Sequence, residues 1–187
     1  LAVGADMVFA AGLDTAAVLT SVLGRAPETA RLLGATDRLH QELGSVREIV
    51  GTFVGRDKTK NVSDNFREFR KVWPRLVDYA ESRGVRIAIE NCPMIFSWDE
   101  WPGGANLAWS PAIWDEMFEA IPADNFGLNL DPSHLVWLMI DYERAVYDFA
   151  DRIYHVHAKD LEVRRDGLYR HGTFSAGMGW QVPRLPG

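Results

Sequence analysis

The sequence has a single cysteine, Cys92. No internal disulfide can therefore staple the fold, and a soluble, reducing compartment such as the cytoplasm is expected. No apolar run approaches the roughly 20 residues needed to cross a bilayer, so a membrane is not an expected partner. The net charge is −6, and lysines and arginines are scattered rather than gathered into a stripe that could neutralise successive phosphates. Nucleic acid is therefore not an expected partner. There is no internal repeat and no low-complexity tract. The opening LAVGADMVFAAGL is apolar but lacks the basic flank of a signal peptide, and the chain starts on Leu1 rather than Met, which suggests a fragment of a longer reading frame.

What is present is enough apolar material for a core: 47% of 187 residues, within the range of one domain. Short apolar or β-branched runs alternate with longer stretches of helical period, the pattern of parallel strands joined by crossover helices. Four strands are predicted: Glu48 to Val54, Val85 to Ile89, Phe126 to Leu130 and Ile153 to His157. Each finishes in polar residues.

Between the first two strands, Ser63 is placed as the cap of a helix with apolar positions Phe66, Phe69, Trp73, Leu76, Val77 and Ala80. Pro74 inside that stripe should kink the helix or reset its start, and Gly84 should stop it. Ser110 followed by Pro111 starts a second helix that buries Ile113, Trp114, Met117, Phe118 and Ile121 and closes at Pro122. A third, from about Asp141 to Asp151, buries Ala145, Val146 and Phe149. The β-α-β alternation is regular from Glu48 to Asp160. Upstream, Ala5 to Ala11 suits a strand and Ala16 to Leu43 a broken helical region. The chain thus reads as a single parallel α/β domain, residues 1–187, in which 1–45 is the less regular part and 46–187 the regular one.

In parallel α/β folds, ligands bind at the carboxyl ends of the strands. Here three successive strand ends carry metal-capable groups: Glu90, Asp131 and His157. A carboxylate after a strand can equally be a helix cap or loop residue, but three in succession argue for one shared site. His134 follows Asp131 by three residues, close enough for the same rim and too close to lie in the next helix; it suits metal, substrate or a backbone contact. His155 and His157 alternate along one strand, so they share a face at different depths. His157 is nearer the rim, and His155 fits a supporting position or an ordinary core histidine.

Lys159 and Asp160 could orient a substrate oxygen, fix a ligating imidazole from behind, or simply begin the next loop. Arg56 and Asp57, after the first strand, suit an anionic substrate group or a surface ion pair. Trp98, Trp101 and Trp109 crowd the loop after Glu90, where aromatic faces can wall a sugar pocket or merely fill that loop. Cys92 has none of the basic neighbours in sequence that would activate a thiolate.

The strings VRIAIEN, FGLNLDPSH and YHVHAKD, with FVGRD upstream, resemble the sugar phosphate isomerase/epimerase superfamily, the xylose isomerase-like barrels. The resemblance runs from about Val46 to Gly187. It implies an α/β fold, a TIM barrel, with one divalent cation held by Glu90, Asp131 and His157 and by a further glutamate on the last strand. It implies His134 as a substrate contact, Glu90 as one of a glutamate pair that moves the proton next to a carbonyl through an enediolate, and a small-molecule sugar or polyol as substrate. Homo-oligomers are compatible with it.

A cation held mainly by oxygen donors points to Mg²⁺ or Mn²⁺, with Zn²⁺ or Co²⁺ compatible with the one imidazole. Eight strand-helix units usually need about 250 residues. The stretch GMGWQVPRLPG resembles the family's glycine-rich loop before the glutamate-bearing strand, so an incomplete barrel, lacking N-terminal and last strands, is expected. Two other functions compete: a zinc-dependent apurinic-site endonuclease, which the acidic balance disfavours, and a non-catalytic barrel fragment or binding module.

Overall fold

The computed structural model describes residues 47–95, 104–175 and 179–186. The expectations for 1–45 and for Trp98 and Trp101 lie outside them. The chain divides after Arg47, and the account below concerns the unit Glu48–Gly187.

Four strands, β1 (Arg47–Thr52), β2 (Val85–Glu90), β3 (Phe126–Leu130) and β4 (Ile153–Val156), form one sheet in sequence order. Both β2–β3 and β3–β4 are parallel, so each needs a crossover. α1 (Val62–Glu81) connects β1 to β2, and the crossovers contain α2 (Pro111–Ala120) and the short helices α3 (Pro132–Trp137) and α4 (Tyr142–Asp148). A 3₁₀ turn at Ala150–Arg152 leads into β4. Consecutive parallel strands joined by helices make this a segment of a (β/α) barrel.

α1 shows why the apolar stripe counts for more than one proline. Phe66, Phe69, Val77 and Ala80 are buried along one side, and Phe69 and Trp73 both pack against Phe126 of β3. The helix runs through Pro74 without resetting its start there. The proline forfeits a single N–H bond, while aromatic packing before it and Val77 after it hold both halves against the sheet. Leu76, expected inside, is exposed because it lies on the flank of that stripe. The start also differs: the cap position is Asn61 rather than Ser63, and it makes no side-chain bond. The buried Asn65 instead ties the helix start to the preceding loop, accepting from Asp57 N–H at 2.7 Å and donating to Asp57 O at 3.1 Å and Asn61 O at 2.9 Å. Gly84, at φ +64, ends the turn after α1 in the left-handed region.

β3 is buried on both faces, as a central parallel strand should be. Gly127 is required there: a Cβ would lie 2.3 Å from Arg152 O and 2.5 Å from the Tyr154 ring. That close approach accompanies an irregularity in pairing. Leu128 pairs with Ile153, but Asn129 pairs with His155, so β4 carries one extra residue, Tyr154. The insertion sets the position of every residue after it, His157 included. In the predicted third helix, the helix proper ends at Asp148 and Val146 is exposed, whereas Ala145 and Phe149 are buried.

Beyond the sheet, β5 (Asp160–Val163) and β6 (Gln181–Arg184) pair antiparallel, with α5 (Arg165–His171) between them. Trp180, fully buried, packs edge-on against Trp137 at 6.1 Å and forms with Leu161 a second small core beside α3. This pair and both its flanking helices, α3 and α5, were not legible as elements in the sequence.

Candidate metal centre

The three strand-end residues meet. One ligand atom each from Glu90, Asp131 and His157 lies within 4.8 Å of the others, which suits donors placed 2.0–2.6 Å from a common centre. Glu90 is the last residue of β2. Asp131 follows β3 and begins α3, where its Oδ1 accepts from Ser133 N–H at 3.1 Å and Ser133 Oγ at 2.5 Å. The expected cap role and the expected site role therefore coincide, because Oδ1 serves the helix and Oδ2 faces the cluster. His157 follows β4 and is fixed by its N–H to Leu130 O, 2.9 Å.

Two buried asparagines hold the strand ends in register. Asn91 donates to Asp131 O at 3.0 Å and accepts from Asp131 N–H at 2.7 Å. Asn106 donates to Glu90 O and Cys92 O, both at 2.7 Å, and accepts from Val54 N–H at 3.1 Å and Ala108 N–H at 3.2 Å. Neither was singled out from sequence. The only signal is polarity directly after or between apolar runs, which a loop residue shares.

His134 reaches the cluster as the rim argument required, with Nε2 3.3 Å from Asp131 Oδ2 and 3.8 Å from Glu90 Oε1. It does so from inside α3, not ahead of it, correcting the expectation that three residues were too few. The helix starts at Pro132, directly after Asp131, so its first turn already carries His134. Lys159 Nζ is 2.6 Å from Asp131 Oδ2 and 3.9 Å from Glu90 Oε1. His157 Nδ1 lies 3.3 Å from Glu90 Oε1 and 4.0 Å from Asp131 Oδ2.

The remaining candidates make other contacts. His155 is exposed and meets the His157 ring edge-on at 5.8 Å. Asp160 begins β5 and accepts from Leu161 N–H at 2.7 Å. Arg56 is anchored through its N–H to Ala105 O at 2.9 Å, and Asp57 pairs with Lys60 at 3.3 Å on the surface. Trp109 packs at the edge of the main core, filling its loop.

The electrostatics follow from burial and neighbours. Burial pushes the Glu90 carboxyl up, but His134, His157 and Lys159 together pull it below its ordinary value. Burial opposes ionisation of Asp131 too, and is outweighed by His134, Lys159 and Ser133, which hold it well below the carboxylate range. Burial would discharge His134, yet Asp131, Cys92 and Glu90 raise it to about 11. Lys159, lowered by burial and raised more by Asp131, stays charged. With no cation, two buried carboxylates are thus balanced by two protonated bases.

The donor set fits a divalent cation. It offers two anionic oxygens and one imidazole on rigid strand ends, with coordination positions left for water or substrate oxygens. Glu90, Asp131 and His157 would hold it.

The xylose isomerase-like TIM barrel family matches residues 19–183, and the chain belongs to that family. The uncharacterized protein YfiH of Bacillus subtilis is 37% identical over 94 residues, which is 50% of this chain and 26% of that protein. Among solved structures, a xylose isomerase domain protein from Planctomyces limnophilus superposes with a TM-score of 0.52 at 16% identity, over 87% of this chain and 51% of that one. The probable 3-DHS dehydratase AsbF of Bacillus anthracis, involved in petrobactin synthesis, gives 0.51 at 12%, over 73% and 45%. The IolI protein, solved with a zinc atom, gives 0.50 at 20%, over 73% and 46%. These likenesses establish the fold. The chain spans about a quarter of the curated relative and about half of each solved one.

Proposed function

We propose that this chain carries the cation-binding part of the active site of a sugar or sugar phosphate isomerase or epimerase. The observation that supports this reading is the convergence of Glu90, Asp131 and His157 within 4.8 Å at the ends of neighbouring parallel strands. Glu90, Asp131 and His157 would hold the cation, Mn²⁺ or Mg²⁺ by the oxygen donors and Zn²⁺ or Co²⁺ by the imidazole, and held there it would supply polarisation of the carbonyl and hydroxyl oxygens of a substrate. The zinc atom in the IolI structure supports a divalent metal in this fold.

The protein's own groups supply the rest. Glu90 is only 6% exposed and held ionised by its neighbours, which makes it the base that takes the proton next to the carbonyl. The substrate carbanion is delocalised as an enediolate; return of the proton to the neighbouring carbon gives the isomer, and epimerisation requires a second acid, the further glutamate that the family resemblance implies, to deliver a proton to the opposite face of the same carbon. His134 and Lys159, both cationic and both facing the carboxylates, are the donors placed to steady substrate oxygens as charge builds on them. Packing around Trp137 and Trp180 holds α3, and with it His134, against the β5–β6 pair.

The test is hydrogen exchange. The chain, with Mn²⁺, is incubated in D₂O with a panel of ketopentoses, ketohexoses and their phosphates, and deuterium is located by NMR. Incorporation next to the carbonyl, abolished in Glu90→Gln, supports the reading. Sugar binding without any incorporation contradicts it and favours a binding module.

A further inference from the structure

Arg86 lies four residues before Glu90 on β2, so the two side chains share one face of the sheet, Glu90 at the rim and Arg86 at the opposite end. Its guanidinium bonds Glu48 Oε1 of β1 at 2.6 Å and stands 4.5 Å over the Tyr154 ring of β4. β3 runs between β2 and β4, and Gly127 leaves the gap across which the two meet. The Tyr154 ring fills that gap, since a Cβ on Gly127 would lie 2.5 Å from it. The Tyr154 hydroxyl donates to Asp124 O at 2.5 Å, just ahead of β3. The ring is thus held by its face, its edge and its hydroxyl, in a chain of contacts that spans all four strands.

Tyr154 is also the extra residue of β4. Counted on from the Leu128–Ile153 pair without the irregularity, a regular ladder would set Tyr154 opposite Asn129, His155 opposite Leu130 and Val156 level with Asp131. A one-residue shift exchanges the faces of a strand, so His157 would turn toward the helices and Val156 toward the carboxylates. The observed pairing differs because Tyr154 stays back beside Gly127, which leaves Asn129 to His155 and the rim to His157. The contacts that hold Tyr154 therefore bear on which side chain of β4 reaches Glu90 and Asp131.

We propose that Tyr154 is a positioning residue: pinned by Gly127, Arg86 and the Asp124 carbonyl, it keeps β4 in the pairing that presents His157 to the cation cluster. The inference rests on the cation-binding reading of that cluster, and it adds that the place of the third donor is set from the far end of the sheet, by a ring that touches no ligand.

The test is a double-mutant cycle in the full chain. Co²⁺ affinity is measured by equilibrium dialysis for the wild type, Tyr154→Ala, His157→Ala and the double variant. The Co²⁺-loaded proteins are also examined by ¹H NMR for the contact-shifted imidazole resonance that His157→Ala removes. Tyr154→Ala is expected to weaken Co²⁺ binding by about 10- to 100-fold and to lose that resonance. With His157 already replaced, the same substitution is expected to change affinity by no more than about twofold. Undiminished affinity in folded Tyr154→Ala, a retained imidazole resonance, or an equal loss in both backgrounds overturns the inference and leaves the cation site standing. Where His157→Ala binds too weakly for dialysis, the resonance decides. Should Tyr154→Ala not fold, Tyr154→Phe, which removes the hydroxyl anchor alone, takes its place in the same cycle, with a smaller loss expected and the same outcomes against it. Absence of Co²⁺ binding by the wild type overturns both readings together.

Discussion

Lys159 extends its Nζ to within 2.6 Å of Asp131 Oδ2, the same oxygen that faces Glu90, His134 and His157. The ammonium stands for part of the positive charge that a divalent cation would bring. Cation and lysine therefore compete for Asp131, and the outcome depends on how much the lysine gives up when it moves. Lys159 is about half exposed, so it can swing into water at modest cost.

Replacing Lys159 by methionine removes the competitor. We expect Lys159→Met to bind Mn²⁺ or Zn²⁺ several-fold more tightly than the wild type, while turnover of any substrate falls because a donor to its oxygens is lost. Isothermal titration gives the first quantity and the D₂O exchange assay the second. Weaker cation binding would place Lys159 outside the competition.

Asn106 joins Val54, Glu90, Cys92 and Ala108 through four hydrogen bonds, all at 3.2 Å or less. Substitution by alanine strips partners from buried backbone groups, each loss costing about 1–3 kcal/mol. Asn106→Ala is expected to lower stability by about 2–4 kcal/mol in urea denaturation and to weaken cation binding, since Glu90 is positioned by the strand end that Asn106 fastens. Loss of stability with unchanged affinity would separate the two roles.

The charge balance of the empty cluster sets a pH dependence. Asp131 is depressed below 3.8, so its contribution to stability is present above that value and lost as pH falls through its lower folded value. His134 is raised from 6.5 to about 11, so its contribution is full below 6.5 and declines as pH rises toward 11. Metal-free protein should therefore gain most from this cluster between about pH 4 and pH 6.5. Denaturation in EDTA across pH 3–10 measures it, and His134→Gln should flatten the alkaline decline. A wild-type profile with the same slope as His134→Gln above pH 7 would contradict this.

Much of the site was legible because strand ends are marked twice, by the end of an apolar run and by the polar residue that follows. Glu90, Asp131 and His157 each sit at such a junction, and parallel pairing does the rest. Asn91 and Asn106 were not legible, since their importance depends on which backbone groups lie across the sheet, a matter of register rather than local pattern. The extra residue at Tyr154 is of the same kind: it appears only when Gly127 and Arg152 are brought together. α3 was missed because six residues are too few to show a helical period, even though Asp131-Pro132 is a cap followed by proline at the first position. Burial of Trp180 rests on Trp137 and Leu161, far away in sequence, so its strand read as loop.

The central claim is that Glu90, Asp131 and His157 bind one cation. Equilibrium dialysis of the chain against Mn²⁺ and Zn²⁺, wild type beside Asp131→Asn, tests it most directly. The expected result is one saturable equivalent in the wild type and a loss of affinity of at least about 100-fold in the variant, since a buried anionic donor becomes neutral. Binding that does not saturate, or that survives the substitution unchanged, would contradict it.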